Sequence, residues 1–422
     1  MTNLLLDDIV QAQKRGETRG IPSVCSAHPW VLKAAMQSGA DHLLIESTCN
    51  QVNQFGGYTR MRPADFVAYI HRLAEENGYP AEKILLGGDH LGPNVWQNEP
   101  EASAMPKAEQ LVRDYVAAGY RKIHLDCSMK LGDDGDGPLD VAVSARRAAR
   151  LARVAEETAA RLGRTHQLRY VIGSEVPVPG GATEHEEGVA VTAVADVRQT
   201  IDVTREAFRL EGVDAAWERV VAVVVQPGVE FGDDFVLPYD PAAAADLSRF
   251  IASRPFVYEA HSTDYQTPAA LRQLVRDHFA ILKVGPGLTF AFREAVFALA
   301  MMEKELLPKA EQSHIIETLE VVMLAKPDHW RKYYRGDERE LAFKRKYSFS
   351  DRIRYYWPEA AVQQAFDRLL SNLTQRAIPL TLLSQFLPEQ YEQVRAGQLS
   401  AMPRALILNK MAAVLEMYER AC

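Results

Sequence analysis

Between residues 20 and 290 one unit recurs along the chain: a short apolar run, a polar or glycine-rich tail, then a longer stretch with helical spacing. That is the pattern of βα units. The expected strands are residues 23–27, 42–47, 84–88, 122–126, 168–173, 220–225, 256–260 and 280–284. Eight parallel strands are the number that closes a barrel, so the expected fold is α/β, a (β/α)8 TIM barrel with a C-terminal helical extension. The run VVAVVV at 220–225 is apolar on both faces, as suits a parallel strand enclosed on both sides. No G-x-G-x-x-G follows the first run, which weighs against an open dinucleotide-binding sheet.

Helices are expected between the strands. Residues 65–77 carry Phe66, Ile70 and Leu73 on one face, and residues 106–118 carry Leu111, Val112 and Tyr115. Gly78 and Gly119 stand where these helices should stop. Beyond about residue 300 the strand pattern ends, and Pro308, Pro327, Pro358, Pro379, Pro388 and Pro403 punctuate helical stretches. The expected division is a barrel over 1–300 and a helical extension over 301–422, which covers one barrel mouth or makes an oligomer contact. A chain of 422 residues has room for both, since such a barrel takes about 250.

Composition narrows the partners. The formal charge of −8 lacks the basic excess that a nucleic-acid backbone requires. No apolar run approaches the roughly 20 residues of a membrane span, and the opening MTNLLLDDIVQAQKRG has two Asp where a signal peptide is apolar. The expectation is a cytoplasmic protein that binds neither nucleic acid nor membrane. Cys25, Cys49, Cys127 and Cys422 are scattered singly and are expected to be free thiols.

In a barrel, chemistry gathers at the carboxyl ends of the strands. Here those ends read IEST (Glu46, Thr48), GGDH (Asp89, His90), HLDCS (His124, Asp126, Ser128), IGSEV (Glu175) and YEAHSTD (Glu259, His261, Asp264). Alternation along a strand sends Glu46 with Thr48, His124 with Asp126, and Glu259 with His261 to a common side. Facing carboxylates repel unless a cation sits among them, and imidazoles in the set point to a divalent metal, with His90, Glu175 and His261 as its candidate ligands. LKVGPGLTFAFREA places Gly285 and Gly287 after the eighth strand, where barrels commonly bind phosphate, with Lys283 or Arg293 adding charge. PVPGG (177–181) and NQFGGYT (53–59) have the look of loops over the mouth, and KRKYSFSDRIRYYWP (344–358) packs basic and aromatic residues together.

The blocks VCSAHPWVL, NQVNQFGGYT, LGGDHLGPN, KIHLDCSM, YVIGSEVPVPGG, VVQPGVEF, VYEAHSTDYQT, HFAILKVGPGLTF and SFSDRIRYYWP resemble the GatZ/KbaZ family, the so-called non-catalytic subunits of D-tagatose-1,6-bisphosphate aldolase, across nearly the whole chain. The resemblance takes in metal-dependent ketose 4-epimerases and echoes class II aldolases. It implies a metal-dependent ketose or ketose-phosphate 4-epimerase that breaks and remakes the C3–C4 bond of tagatose, fructose or their 6-phosphates. Carbon 4 lies β to the carbonyl, so enolisation alone cannot invert it. The alternative implied is a subunit that stabilises and activates a catalytic class II D-tagatose-1,6-bisphosphate aldolase, its partner.

In class II aldolases the D-H pair supplies an acid/base Asp and a metal His, which fall here on Asp89 and His90, and the strand-seven His falls on His261. Glu175 stands near where those aldolases carry a third His. The expected acid/base groups are therefore Asp89, Asp126 and Glu46, and the expected substrate or phosphate contacts are Lys283, Gly285, Gly287, Ser262 and Glu259. The cofactor expected is a divalent metal (Zn, Mn, Ni or Co), and a homo-oligomer is expected. Some relatives carry a tagatose-6-phosphate kinase label, yet the sequence has neither G-x-x-x-x-G-K-[ST] nor a kinase glycine loop.

Overall fold

The computed structural model describes residues 5–173 and 189–422. Eight parallel strands close into a barrel: β1 (Ile21–Cys25), β2 (Leu43–Thr48), β3 (Ile84–Leu91), β4 (Lys122–Leu125), β5 (Arg169–Ile172), β6 (Val220–Val224), β7 (Val257–Ala260) and β8 (Phe279–Val284). Closure comes from β8 pairing with β1, with Ile21 opposite Ile281 and Val24 opposite Val284. All eight expected runs are strands, with no end shifted by more than three residues. The expected helices are also present as Pro63–Glu76 and Glu101–Ala118. The second begins five residues earlier than expected and holds Pro106 inside it, where the missing N–H removes one hydrogen bond. Gly119 ends that helix in the left-handed conformation, φ 107.

The barrel interior has an apolar floor. Ile21, Leu44, Leu85, Val171, Val221, Val257 and Ile281 pack there against Leu5, Leu6 and Ile9. These last three come from the amphipathic helix Leu5–Lys14, which closes the amino-terminal end of the barrel and is tied to β5 by the Asp7–Arg169 ion pair. A short antiparallel hairpin, Glu230–Phe231 with Val236–Leu237, follows β6.

After β8 the chain is helical: Pro286–Leu306, Ile315–Ala325, Glu338–Tyr347, Ala360–Gln375, Leu380–Phe386, Pro388–Arg395 and Pro403–Glu419. Proline sits in the first turn of Pro286–Leu306, Pro388–Arg395 and Pro403–Glu419, where its fixed φ suits a helix start. The last helix returns to the barrel and packs on β1, Pro29–Gln37 and Pro286–Leu306. Its end is pinned there: the Gly20 N–H donates to the Cys422 carbonyl (2.8 Å) and the Tyr418 hydroxyl to the Thr263 carbonyl (2.8 Å). The C-terminal part of the chain thus supplies part of the helical ring. Among the described residues no helix is long and apolar enough to cross a membrane.

Candidate functional site

Above the apolar floor the barrel interior turns polar. Glu46, Asp89, Lys122, His124 and Glu259 are fully buried, and His90, Asp126, His261 and Lys283 nearly so. Isolated charges at such depth are costly, so pairing decides the arrangement. The Lys122 ammonium lies between Glu46 and Glu259, 2.7 Å from Glu259 Oε2. Burial works against a charged Lys122, but the two carboxylates outweigh it and raise its pKa. Gly87, beside Glu46 in the β2–β3 register, is required by close approach: a Cβ there would run into the Glu46 side chain.

One level nearer the mouth, Asp89 accepts from two sides. His124 Nδ1 is 2.9 Å from its Oδ1, and the Lys283 ammonium pairs with its Oδ2. His261 Nε2 is 2.9 Å from Glu259 Oε1, and His90 Nδ1 is 2.9 Å from Asp126 Oδ2. Asp126 also accepts from the backbone N–H (3.0 Å) and hydroxyl (2.6 Å) of Ser128. Burial opposes ionisation of Asp126 and Glu259. His90 and Ser128 overcome it at Asp126, Lys122 and His261 at Glu259, and both carboxyls end below the usual range. Burial lowers His124 and His261 to about 4, so both imidazoles are neutral near pH 7.

Asp89, His124, Glu259 and His261 each offer a donor atom, and these atoms lie within 4.8 Å of one another. Two features of the site fit a divalent cation there. Four carboxylates (Glu46, Asp89, Asp126, Glu259) gather there with two lysines (Lys122, Lys283), so acidic groups outnumber the lysines of the cluster among the described residues. His124 Nε2 is buried with no hydrogen-bond partner, the state of an imidazole nitrogen left free by a carboxylate on its other nitrogen. Mixed imidazole and carboxylate donors suit zinc, manganese, cobalt or nickel.

The structure distributes the expected residues unevenly. Asp89, Asp126, Glu46, His261, Glu259 and Lys283 meet in one cluster. His90 joins it, its ring 5.2 Å from His124 and 5.1 Å from His261, but its Nε2 lies 3.2 Å from Lys283, and the four-donor group uses His124 in its place. Glu175 and the 177–181 loop lie outside the described residues. Lys283 turns into the cluster, away from a phosphate loop. The Gly285 and Gly287 amides, expected to cradle phosphate, both donate to Asp264 Oδ1, at 2.9 and 2.7 Å. A carboxylate from this chain fills that nest. Ser262, in the left-handed conformation (φ 52), turns its hydroxyl toward Glu230.

Four groups of this region were not assigned roles from sequence. His124 and Asp264 stand at strand ends already singled out, and Lys122 shares the parity of His124 and Asp126 on β4, a signal that was available. Glu230 sits on the hairpin after β6, and burial pushes its carboxyl up to about 7 despite the Phe231 N–H at 3.0 Å. The four cysteines are free, and burial pushes Cys25 up to about 11 and Cys49 up to about 12, which leaves both as thiols.

Comparison with known proteins places this geometry. The model of the D-tagatose-1,6-bisphosphate aldolase subunit GatZ/KbaZ-like family matches residues 6–422. The chain is 53% identical over 420 residues, 99% of each chain, to the D-tagatose-1,6-bisphosphate aldolase subunit GatZ of Klebsiella pneumoniae subsp. pneumoniae. A crystal structure described as a probable tagatose 6 phosphate kinase from Sinorhizobium meliloti 1021 superposes with a TM-score of 0.88 at 47% identity, covering 96% of this chain and all of that one. With a match of this extent in both sequence and fold, the chain belongs to the GatZ/KbaZ-like family of D-tagatose-1,6-bisphosphate aldolase subunits.

Proposed function

We propose that this chain is a GatZ-type subunit that works beside a catalytic class II D-tagatose-1,6-bisphosphate aldolase, and that its barrel mouth binds a ketose phosphate and a divalent cation. The observation that carries the first part is the 53% identity over 99% of both chains to a subunit of that aldolase. The second part is supported by the buried cluster. A subunit that only braced its partner would gain nothing from burying nine ionisable groups at a mouth, since replacing buried ion pairs by apolar side chains is often neutral or stabilising. A cation held by Asp89, His124, Glu259 and His261 would polarise a ketose carbonyl as a Lewis acid. Lys283 stands ready to hold or release a proton at its Nζ, and burial lowers its pKa, which favours such exchange.

The same cluster also suits a second reading, a ketose 4-epimerase, because it holds two buried carboxyls, Asp89 and Asp126, that could carry protons during cleavage and re-formation of a C3–C4 bond. No kinase reading is adopted, because the sequence has no nucleotide-phosphate cradle.

The test mixes the purified chain with a class II tagatose-bisphosphate aldolase and follows elution by size. It then assays the chain alone, with Mn²⁺, Zn²⁺ or Ni²⁺, for interconversion of tagatose 6-phosphate and fructose 6-phosphate. Co-elution with no turnover by the chain alone is the expected result. Turnover by the chain alone would move the assignment to the epimerase. Separate elution with no turnover would refute both.

A further inference from the structure

Residues 348–357, from the block SFSDRIRYYWP, form a strap over the rim between β7 and β2. On the β7 side the Tyr265 hydroxyl donates to the Phe349 carbonyl (2.6 Å) and the two rings pack at 4.5 Å. Asp351, left-handed at φ 47, accepts from Thr289 (2.6 Å) and pairs with Arg293 (3.1 Å), both on the helix that follows β8. On the β2 side Tyr355 meets Tyr58, of the loop after β2, edge to face at 5.0 Å. The strap is therefore pinned at both ends.

Arg354 lies between the pins. Its guanidinium donates to the Ser350 and Asp351 carbonyls and to the Tyr355 hydroxyl (3.0 Å), and stacks on the Tyr355 ring at 4.5 Å. Among the described residues no carboxylate forms an ion pair with this half-buried arginine or with the buried Arg352 beside it, whereas the buried Arg147, Arg293 and Arg345 each pair with at least one. A held guanidinium without an anionic partner is a ready receptor for phosphate. Its charge acts on Asp264, in the loop after β7, and on Tyr58, in the loop after β2.

The amides of Gly285 and Gly287, where a barrel would ordinarily seat phosphate, are already taken by Asp264. We infer that recognition of the anion has passed to the strap, and that Arg354 binds the phosphate of an open-chain ketose phosphate whose carbonyl end reaches the carboxylate and imidazole cluster. This rests on the reading of the mouth as a ketose-phosphate site.

The test is calorimetric titration of the full chain with inorganic phosphate, tagatose 6-phosphate and tagatose. The wild type should bind both phosphate-bearing ligands, the sugar phosphate more tightly than the free sugar. Arg354→Ala should weaken inorganic phosphate and tagatose 6-phosphate by about 10- to 100-fold, the size of a lost charge-assisted contact, and leave tagatose unchanged. Arg354→Gln keeps hydrogen-bonding groups for the strap carbonyls and should lose phosphate affinity equally, while Arg354→Lys should recover part of it. Wild-type affinity for phosphate in either neutral variant overturns the inference, as does a wild type that binds neither phosphate-bearing ligand. A chain that binds phosphate through Arg354 yet leaves the aldolase unaffected would defeat the functional reading alone.

Discussion

His124 Nδ1 sits 2.9 Å from Asp89 Oδ1, and Nε2 of the same ring is buried without a hydrogen-bond partner in the group formed with Asp89, Glu259 and His261. If the ring is a ligand, His124→Ala and His261→Ala should each drop bound metal well below one equivalent after loading with Mn²⁺ or Zn²⁺ and desalting, and elemental analysis reads this directly. Undiminished metal in either variant would remove that residue from the ligand set.

Lys122 is the cation between Glu46 and Glu259, and all three are fully buried. Lys122→Met leaves two carboxylates facing each other without compensation. The expected cost is about 3–5 kcal/mol of stability, the range for breaking a buried pair from one side. Urea unfolding checks it. A variant as stable as wild type would show that the pair is not held as an ion pair.

Glu230 gives a pH dependence of definite sign. Its carboxyl is raised from 4.5 to about 7 by burial, so between those pH values the folded chain keeps a proton that the unfolded chain has released. Its contribution to stability therefore declines as pH rises through that window. Glu230→Gln should remove the decline, so that the variant gains on wild type by up to about 3 kcal/mol between pH 4.5 and pH 7.5. A stability difference that does not change with pH would contradict the assignment.

The final helix completes the packing around β1, with Leu406, Ile407, Met411, Leu415 and Tyr418 buried. Deleting residues 403–422 uncovers that surface, and burying side chains of this kind stabilises by about 1.5–3 kcal/mol each. The truncated chain is expected to lose cooperative unfolding by circular dichroism. A cooperative transition at the wild-type midpoint would show that the barrel stands without the helix.

The barrel was legible because each strand is a local apolar run ended by polar residues, and alternation then puts Glu46, His124, Asp126, Glu259 and His261 at the interior without knowledge of their partners. The choice between His90 and His124 was not legible. His90 takes φ 49 and the β3–β4 register shifts between Gly88 and Leu91, so Asp89 and His90, neighbours that a regular strand would send to opposite sides, both reach the cluster. Nothing local announces such a turn. Gly285 and Gly287 were read as a phosphate cradle, but Asp264, which takes both amides, lies about twenty residues earlier and meets them only in the closed barrel. The packing of the last helix on β1 depends on contacts spanning nearly the whole chain, which periodicity does not report.

The most direct measurement of the central claim is the rate and half-life of D-tagatose 1,6-bisphosphate cleavage by a class II aldolase, with and without an equimolar amount of this chain. The account predicts that the chain raises the rate or prolongs the half-life, and that it does so less well when Asp89, His124, Glu259 and His261 are replaced together. An aldolase whose rate and half-life are the same with or without the chain would contradict it.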